Sequence, residues 1–340
     1  MGCPSAWDKG IAMKKPASGL INNKNGSLWK KLTHSKEFPP FIALLVLCAA
    51  VSFLSPYFLR YKNIFNVLRQ ISVIGILTIG EALIIIAGGI DLSVGSILGL
   101  MGVMTALFAR AGLHPIVVFF CVILAGICVS SINGLLITQI GINPFIATLG
   151  MLSIARGTSL LITGGMPLAI DSNNIVFLGS GYLGPVPIPV IIMLIIAVLG
   201  FIFSTMTLPG RNVYAIGNNE RSAKLSGIRV ERVRIMTFSI MGALCAISGM
   251  ITSGTLKTAE PNAGAGYELD AIAAVVIGGT SLAGGEGSIP GAIIGAAILG
   301  VLRNSFVLLG VSAYWQVVAI GIVTIAAVSI DSLKSKKTKQ

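Results

Sequence analysis

The chain has 340 residues, and 54% of them belong to the hydrophobic set Ala, Val, Ile, Leu, Met, Phe, Trp, Tyr and Cys. Only 11% are charged, whereas a soluble domain carries about 25% charged residues. So few charges cannot cover the surface of a soluble fold. The composition therefore excludes an ordinary soluble enzyme, a disordered chain and a secreted disulfide-linked domain, and it leaves a polytopic membrane protein.

The formal net charge of +12 is unevenly distributed along the chain. Of the 24 Lys and Arg residues, 17 lie before residue 38, within 207–234 or after residue 331. Lys and Arg accumulate on the cytoplasmic side of membrane proteins. The charge pattern therefore predicts how the protein is oriented in the bilayer, and it does not indicate nucleic-acid binding.

Long uncharged apolar runs predict the segments that cross the lipid bilayer. A helical span needs about 20 mainly apolar residues, and the runs are apolar on every side rather than alternating as barrel strands do. We therefore expect an all-α polytopic membrane protein. Ten spans are predicted, near residues 41–58, 64–88, 92–110, 115–138, 143–163, 187–206, 233–256, 268–284, 288–309 and 312–330.

The polar ends of the chain predict two tails that flank one membrane domain. Residues 1–38 form a basic N-terminal tail, residues 39–331 the membrane domain, and residues 332–340 a basic C-terminal tail. Ten spans place both ends on the same side of the membrane, and segment 207–232 falls on that side too. All three regions are basic, so we expect them to be cytoplasmic in a multi-pass inner-membrane protein.

Two glycine-rich segments interrupt the helical pattern, and each follows an apolar run. Aligned on their glycine pairs, the two segments match Gly88 with Gly278 and Gly89 with Gly279. Interrupted helices at matching positions indicate an internal repeat and a central pathway. Chance similarity between glycine-rich helix ends is the alternative, and the sequence leaves both open. The uninterrupted part of the eighth span is short, which favours a broken or re-entrant segment. The residues concerned are Gly88, Gly89, Asp91 and Ser93 in the first segment, and Gly278 and Gly279 in the second.

No arrangement of residues predicts catalysis or metal binding. The two His residues lie in a tail and a loop, and the five Cys residues lack metal-ligand spacing. A phosphate-binding loop needs G-x-x-x-x-G-K-[ST], and the chain contains no Gly-Lys dipeptide. We therefore expect no cofactor in this chain. If ATP powers its activity, ATP binds to another chain.

Segment 207–232 predicts a short helix held between two spans. An asparagine caps its start, a glutamate suits the positive end of the helix dipole, and a glycine ends it in a left-handed turn. Such a helix can fill a groove on a soluble partner; a plain basic loop is the alternative. The residues of interest are Asn218, Asn219, Glu220, Ala223, Leu225 and Gly227.

Several sequence motifs, in the same order, resemble those of ribose-type permease subunits of ATP-binding-cassette (ABC) sugar importers. They are GGIDLSVGS at 88–96, NPFIATLG at 143–150, GRNVYAIGNNERSAKLSGI at 210–228, GYELDAIAAVVIGGTSL at 266–282, and LLGV at 308–311 with Gln316. The resemblance extends over roughly residues 40–331 and leaves out the basic N-terminal tail.

The resemblance implies a function and a set of partners. Two permease chains would form the transport pathway, and a cytoplasmic double-cassette ATPase carrying ATP and Mg²⁺ would dock on segment 218–227 of each. A periplasmic binding protein would deliver ribose or a related sugar. The resemblance does not identify the sugar, and it does not tell a homodimer from a heterodimer of permeases.

Charged and polar residues inside the predicted spans are functional candidates. Glu81 lies within the second span, where the resembling family more often has an apolar residue, and protonation would keep it neutral. Asp91 is expected to cap the third span, with sugar contact as the alternative, and Glu268 and Asp270 are expected to cap the eighth. Arg156 and Arg303 are expected to pair with acids or to reach an interface. Candidate pathway residues, each of which could equally hold helices together, are Glu81, Asn133, Asn143, Asn304 and Gln316.

Three other functions compete with the sugar permease. An ion-coupled secondary transporter would explain the broken helices and Glu81, but it leaves the helix of segment 207–232 without a role. A channel is the second competitor. An intramembrane enzyme that uses Asp91 or Glu81 is the third, and the missing catalytic constellation counts against it.

Overall fold

The computed structural model describes residues 37–338 of the chain. The predicted N-terminal tail, 1–38, lies outside the described residues except for its last two positions. The helices, in chain order, are α1 (Phe38–Leu54), α2 (Tyr61–Ile86), α3 (Val94–Arg110), α4 (Pro115–Leu135), α5 (Pro144–Thr163), α6 (Asn173–Ser180), α7 (Ile188–Met206), α8 (Leu208–Asn218), α9 (Glu220–Leu225), α10 (Val230–Leu256), α11 (Tyr267–Ile277), α12 (Ile289–Leu308) and α13 (Ala313–Thr338).

Short irregular elements connect some of the helices. A π-helical segment, Leu136–Ile140, prolongs α4. Two small antiparallel sheets lie in the connections: β1 (Leu168–Ala169) pairs with β4 (Thr258–Ala259), and β2 (Tyr182–Leu183) pairs with β3 (Val186–Pro187). The expected all-α architecture is thus confirmed.

Proline and polar caps define where many helices begin. Proline stands in the first turn of α1, α4, α5, α7, α8 and α12, where its missing N–H costs nothing. Side-chain caps precede several of these helices: Asn143 accepts from Phe145 N before α5, and Ser288 accepts from Gly291 N before α12.

Six of the described helices are long and apolar enough to cross a membrane: α2, the continuous segment of α4 and its π-helical extension, α5, α7, α10 and α12. Helices α1 and α3 have 17 residues each, and the count of ten spans stays a prediction. Helix α11 has 11 residues, about 16 Å of helix, which is roughly half of a bilayer core of about 30 Å. The expectation of a broken eighth span is therefore confirmed, because its helix ends at Ile277.

The burial pattern places α2 at the centre of the bundle. In its most apolar window 83% of the residues are buried, against 22% for α4 and 28% for α5 and α7. A helix that is apolar on all sides can lie inside a membrane bundle. Helix α2 packs against α12, α10, α7 and α11, so it connects most of the molecule.

Close contact between α4 and α10 depends on glycine. A Cβ atom on Gly242 would overlap the backbone oxygen of Gly126, and one on Gly126 would overlap that of Gly242. On the α3 side of α10, a Cβ atom at Gly249 would lie 2.6 Å from Leu98 O. Small residues let membrane helices approach each other closely where no hydrophobic effect drives their association.

The C-terminal helix is longer than predicted. Helix α13 continues to Thr338, past the boundary expected at 331/332. Lys and Ser at its end are compatible with a helix, and no proline or glycine interrupts residues 322–338.

We expect Gly242→Ala to destabilise the protein, because the added methyl group meets backbone rather than a movable side chain. Overpacking of this kind costs about 1–3 kcal/mol, so the melting temperature of the purified protein in detergent should fall. The matched control is Gly150→Ala in α5, where nothing lies within 4 Å of the added atom. Equal melting temperatures for the two variants would contradict the glycine contact.

Candidate functional site

The segment between α7 and α10 contains the predicted short helix. Helix α9 begins after Asn219, whose side chain accepts a hydrogen bond from Ser222 N at 2.9 Å. The turn after the helix contains Gly227, which has a φ of +84°, and Ile228 N donates to Ala223 O at 3.1 Å. The predicted caps are confirmed, with Asn219 rather than Asn218 at the start. Asn218 is instead the last residue of α8.

Ion pairs hold α9 against the start of α10. Glu220 contacts Lys224 at 3.0 Å and Arg234 at 2.7 Å. The hydrogen bond from Lys224, together with the charge of Arg234, lowers the pKa of the Glu220 carboxyl below its ordinary value. Exposed pairs such as these contribute little to stability, about 0–1 kcal/mol each. Their effect here is to orient a helix of six residues.

The two apolar residues of α9 face in opposite directions. Ala223 is 4% exposed and packs in a small core with Val213, Ile216 and Val230. Leu225 is 83% exposed. A large apolar side chain at the tip of a capped and anchored helix is therefore available to a partner.

The coupling segment, which we define as residues 207–232, touches both helix breaks through backbone. Gly285 N, in the connection between α11 and α12, donates to Ile86 O at the end of α2, at 2.8 Å. A Cβ atom on Gly217 would overlap both of these backbone atoms. Tyr214 Oη also donates to Gly287 O at 3.2 Å. We call this three-way contact of Gly217, Ile86 and Gly285 the backbone junction.

The two helix breaks share a common type of helix ending. Gly88 has a φ of +81° and Gly279 a φ of +90°, and in each case the next N–H returns to a carbonyl five residues earlier. The equivalent residues are thus Gly88 and Gly279, so the alignment of Gly88 with Gly278 is wrong by one residue. The same turn follows α9 at Gly227 and α12 at Gly310. This shared turn therefore does not itself demonstrate a repeat.

Four of the predicted polar residues come together in a buried cluster. Glu81 Oε1 accepts from Asp91 N at 3.1 Å, and Asp91 Oδ1 accepts from Ser93 N at 2.8 Å and from Ser93 Oγ at 2.5 Å. Asn133 Nδ2 donates to Ser93 Oγ at 2.9 Å. Asp91 therefore satisfies a backbone donor one residue before α3, close to the capping role that the sequence predicted.

The other predicted pathway residues lie elsewhere and have structural partners. Asn143 caps α5. Asn304 exchanges two hydrogen bonds of 3.0 Å with Asn63, and Gln316 Nε2 donates to Val311 O at 3.1 Å. Each is accounted for by the contacts that it makes within the chain, and their part in a pathway stays a prediction.

The sequence did not predict that the loop at residues 260–266, before α11, packs inside the bundle; we call it the re-entrant loop. Arg156 Nη1 donates to Pro261 O at 2.8 Å and to Ala263 O at 3.0 Å. Both carbonyls lie against Gly99, which is 11 residues from the end of α3, or about 16 Å along its axis. The available signal was Gly264 and Gly266, which both have positive φ.

Of the two acids expected to cap α11, Glu268 bonds to the N–H of the N-cap residue Gly266, whereas Asp270 pairs with Arg303. Asp270 Oδ2 accepts a charged hydrogen bond from Arg303 Nη2 at 2.6 Å. Glu268 Oε1 accepts from Gly266 N at 3.1 Å. The prediction that Arg303 pairs with an acid is confirmed, whereas Arg156 binds carbonyl oxygens instead. The charge of Arg303 favours the ionised form of Asp270, whereas removal from solvent opposes it.

An apolar cavity of about 540 Å³ lies near the start of α4 and contains none of the predicted site residues. Its lining includes Phe119, Phe120, Phe177 and Met250. Within the described residues, no group of three or more His, Cys, Asp or Glu side chains is arranged to hold a metal ion.

Comparison with known proteins places this architecture in a family. The model of the "branched-chain amino acid transport system / permease component" family matches residues 63–328. The ribose import permease protein RbsC of Bacillus subtilis (strain 168) is 44% identical over 302 residues, which are 88% of this chain and 94% of that protein. No solved structure matches the chain significantly.

Two further relatives match over similar lengths. RbsC of Escherichia coli (strain K12) is 43% identical over 302 residues, with 88% and 94% of the two chains covered. The D-allose transport system permease protein AlsC of the same strain is 39% identical over 306 residues, with 88% and 93% covered. The matches include both helix breaks and the coupling segment, and the chain belongs to the family of ribose-type ABC sugar permeases.

Proposed function

We propose that this chain is the membrane-spanning subunit of an importer that moves ribose or a related monosaccharide across the bacterial inner membrane. The names of its relatives, ribose and D-allose permeases, support this substrate class. In this proposal both ends of the chain and the coupling segment are cytoplasmic, as their basic charge favours.

The observation that carries the proposal is the exposed Leu225 on an anchored helix. Helix α9 is capped at both ends and tied to α10 through Glu220 and Arg234, so its tip is fixed relative to the membrane helices. A short helix with one apolar anchor suits a groove on a soluble partner. We propose that this partner is the double-cassette ATPase, which holds ATP and Mg²⁺.

The backbone junction offers a route for movement from the ATPase into the membrane. Gly217 contacts the end of α2 and the connection between α11 and α12 without an intervening side chain. Displacement of the coupling segment would therefore move α2 and α11 together. Coupled movement of packed helices is the type of change that alternating access needs.

The exposed face of the re-entrant loop supports pairing with a second copy of the chain. Asn262 and Ala265 of this loop are exposed. The carbonyls of the adjacent Pro261 and Ala263 lie against Gly99, about 16 Å along the axis of α3 from its end. Irregular backbone at membrane depth is tolerated only against protein or a water-filled cavity. We propose that this face lines the pathway between two permease chains, and that a periplasmic sugar-binding protein docks at the end opposite the coupling segment.

An ion-coupled secondary transporter is the second candidate function. The observation that favours it is the burial of Glu81 and Asp91, which are both 0% exposed. Intramembrane acids commonly mark proton or ion pathways. This function would leave the exposed tip of α9 without a partner.

We expect Leu225→Asp to insert normally but to abolish most sugar uptake, because it places a charge in the apolar groove. Loss of an interface anchor costs about 2 kcal/mol or more, a roughly thirtyfold loss of docking affinity. Uptake of labelled ribose and binding of the ATPase are measured in membranes with matched permease content. Leu225→Met, which keeps the apolar volume, is the control, and full uptake by Leu225→Asp would refute docking through this helix.

The energy source separates the two candidate functions. In proteoliposomes that contain the permease, its ATPase and the binding protein, we expect uptake to require ATP on the ATPase side and to survive an ionophore. Permease-only liposomes with an imposed proton or sodium gradient serve as the comparison. Uphill uptake by the permease alone would exclude the proposed importer and support the secondary transporter.

A further inference from the structure

A cluster of unpaired acceptor oxygens lies between α2 and the start of α3. Glu81, Asp91 and Asn133 are each 0% exposed. Glu81 Oε2, Asp91 Oδ2 and Asn133 Oδ1 have no hydrogen-bond partner. Among the described residues, the Lys and Arg ion pairs involve neither of these two carboxyl groups. The cluster thus contains more acceptors than donors.

Burial of two ionised carboxylates without a cation is energetically costly, and two adjacent charges also repel each other. A single proton would remove one charge and supply a missing donor. Calcium prefers about six to eight oxygen ligands, whereas Glu81, Asp91 and Asn133 together offer three unpaired oxygens. We propose that this cluster is a proton-binding site in which Glu81 is a neutral carboxylic acid and Asp91 a carboxylate.

The hydrogen bonds decide which group carries the proton. Asp91 Oδ1 accepts from both Ser93 N and Ser93 Oγ, and hydrogen bonds to a carboxylate favour its charged form. Ser93 Oγ is in turn a partner of Asn133 Nδ2. Glu81 accepts only the Asp91 N–H, at 3.1 Å. The negative charge therefore belongs to Asp91 and the proton to Glu81.

The surrounding elements supply no competing counter-charge. Helix α10 contributes Cys245, whose thiol donates to Val94 O at 3.5 Å, and Arg234, which pairs with Glu220. Helix α5 contributes Thr148, whose hydroxyl lies 3.4 Å from Ile90 O. A neutral Glu81 is the simplest arrangement that leaves these contacts undisturbed.

The proton on Glu81 removes the charge repulsion between α2 and the turn before α3. This turn begins at Gly88, whose Cα would lie 3.2 Å from a Cβ atom on Gly284, beside the backbone junction. Two charges at Glu81 and Asp91 would push the turn away from α2. Glu81 is therefore a positioning residue for the contact between the coupling segment and the membrane helices, whatever energy source drives transport.

Infrared spectroscopy of the purified full-length chain in lipid tests the site without any partner protein. We expect the C=O stretch of a carboxylic acid at neutral pH, a shift to lower frequency in D₂O, and loss of the band in Glu81→Gln. Asp91→Asn and the control Glu268→Gln should keep it. In the wild-type chain, carboxyl ¹³C labelling of all Glu residues should shift the band, and labelling of all Asp residues should not.

Three results would overturn the assignment. The first is a wild-type spectrum without a carboxylic acid band. The second is a band that moves with Asp labelling instead of Glu labelling, because the proton would then reside elsewhere. The third is a shift of the carboxylate bands and of the melting temperature when Na⁺ or Ca²⁺ is added, because a metal cation would then be the counter-ion.

Discussion

Backbone pairing in lipid is the constraint on which the rest of this structure depends. A buried N–H or C=O without a partner costs several kcal/mol in the bilayer core, so the chain crosses as helices wherever it can. Where α11 falls short, the carbonyls of Pro261 and Ala263 are paired by Arg156. A charged side chain from α5 thus satisfies two carbonyls where the span is interrupted.

Direct contact between main-chain atoms also characterises the backbone junction. At the backbone junction, Gly217, Ile86 and Gly285 touch through main-chain atoms, and no flexible side chain separates them. Main-chain contacts are less compliant than side-chain contacts because their atoms cannot change rotamer. In the proposed importer, a displacement received at the exposed Leu225 would therefore reach two membrane helices at once.

Polar groups inside the bundle form two separate clusters. Asp270 and Arg303 form an ion pair beside the re-entrant loop, whereas Glu81 and Asp91 lie together where α2 ends and α3 begins. The first pair neutralises itself. The second pair has no cationic partner among the described residues. A proton would remove one of its negative charges, as Arg303 balances the charge of Asp270. Both arrangements avoid an isolated charge in a medium of low dielectric constant.

The sequence by itself determined the membrane class, the apolar helices, an asparagine cap and a terminal Gly227 for α9, and the family, because composition, periodicity and capping are local properties. Only the tertiary structure brought Glu81 to Asp91 and Asn133, paired Asp270 with Arg303, and placed the loop at residues 260–266 against Gly99. These contacts join residues that are distant along the chain, and helix packing decides which of them meet. The alignment of Gly88 with Gly278 was wrong for the same reason. The residue at which each helix ends, and not the glycine pair, makes Gly88 equivalent to Gly279.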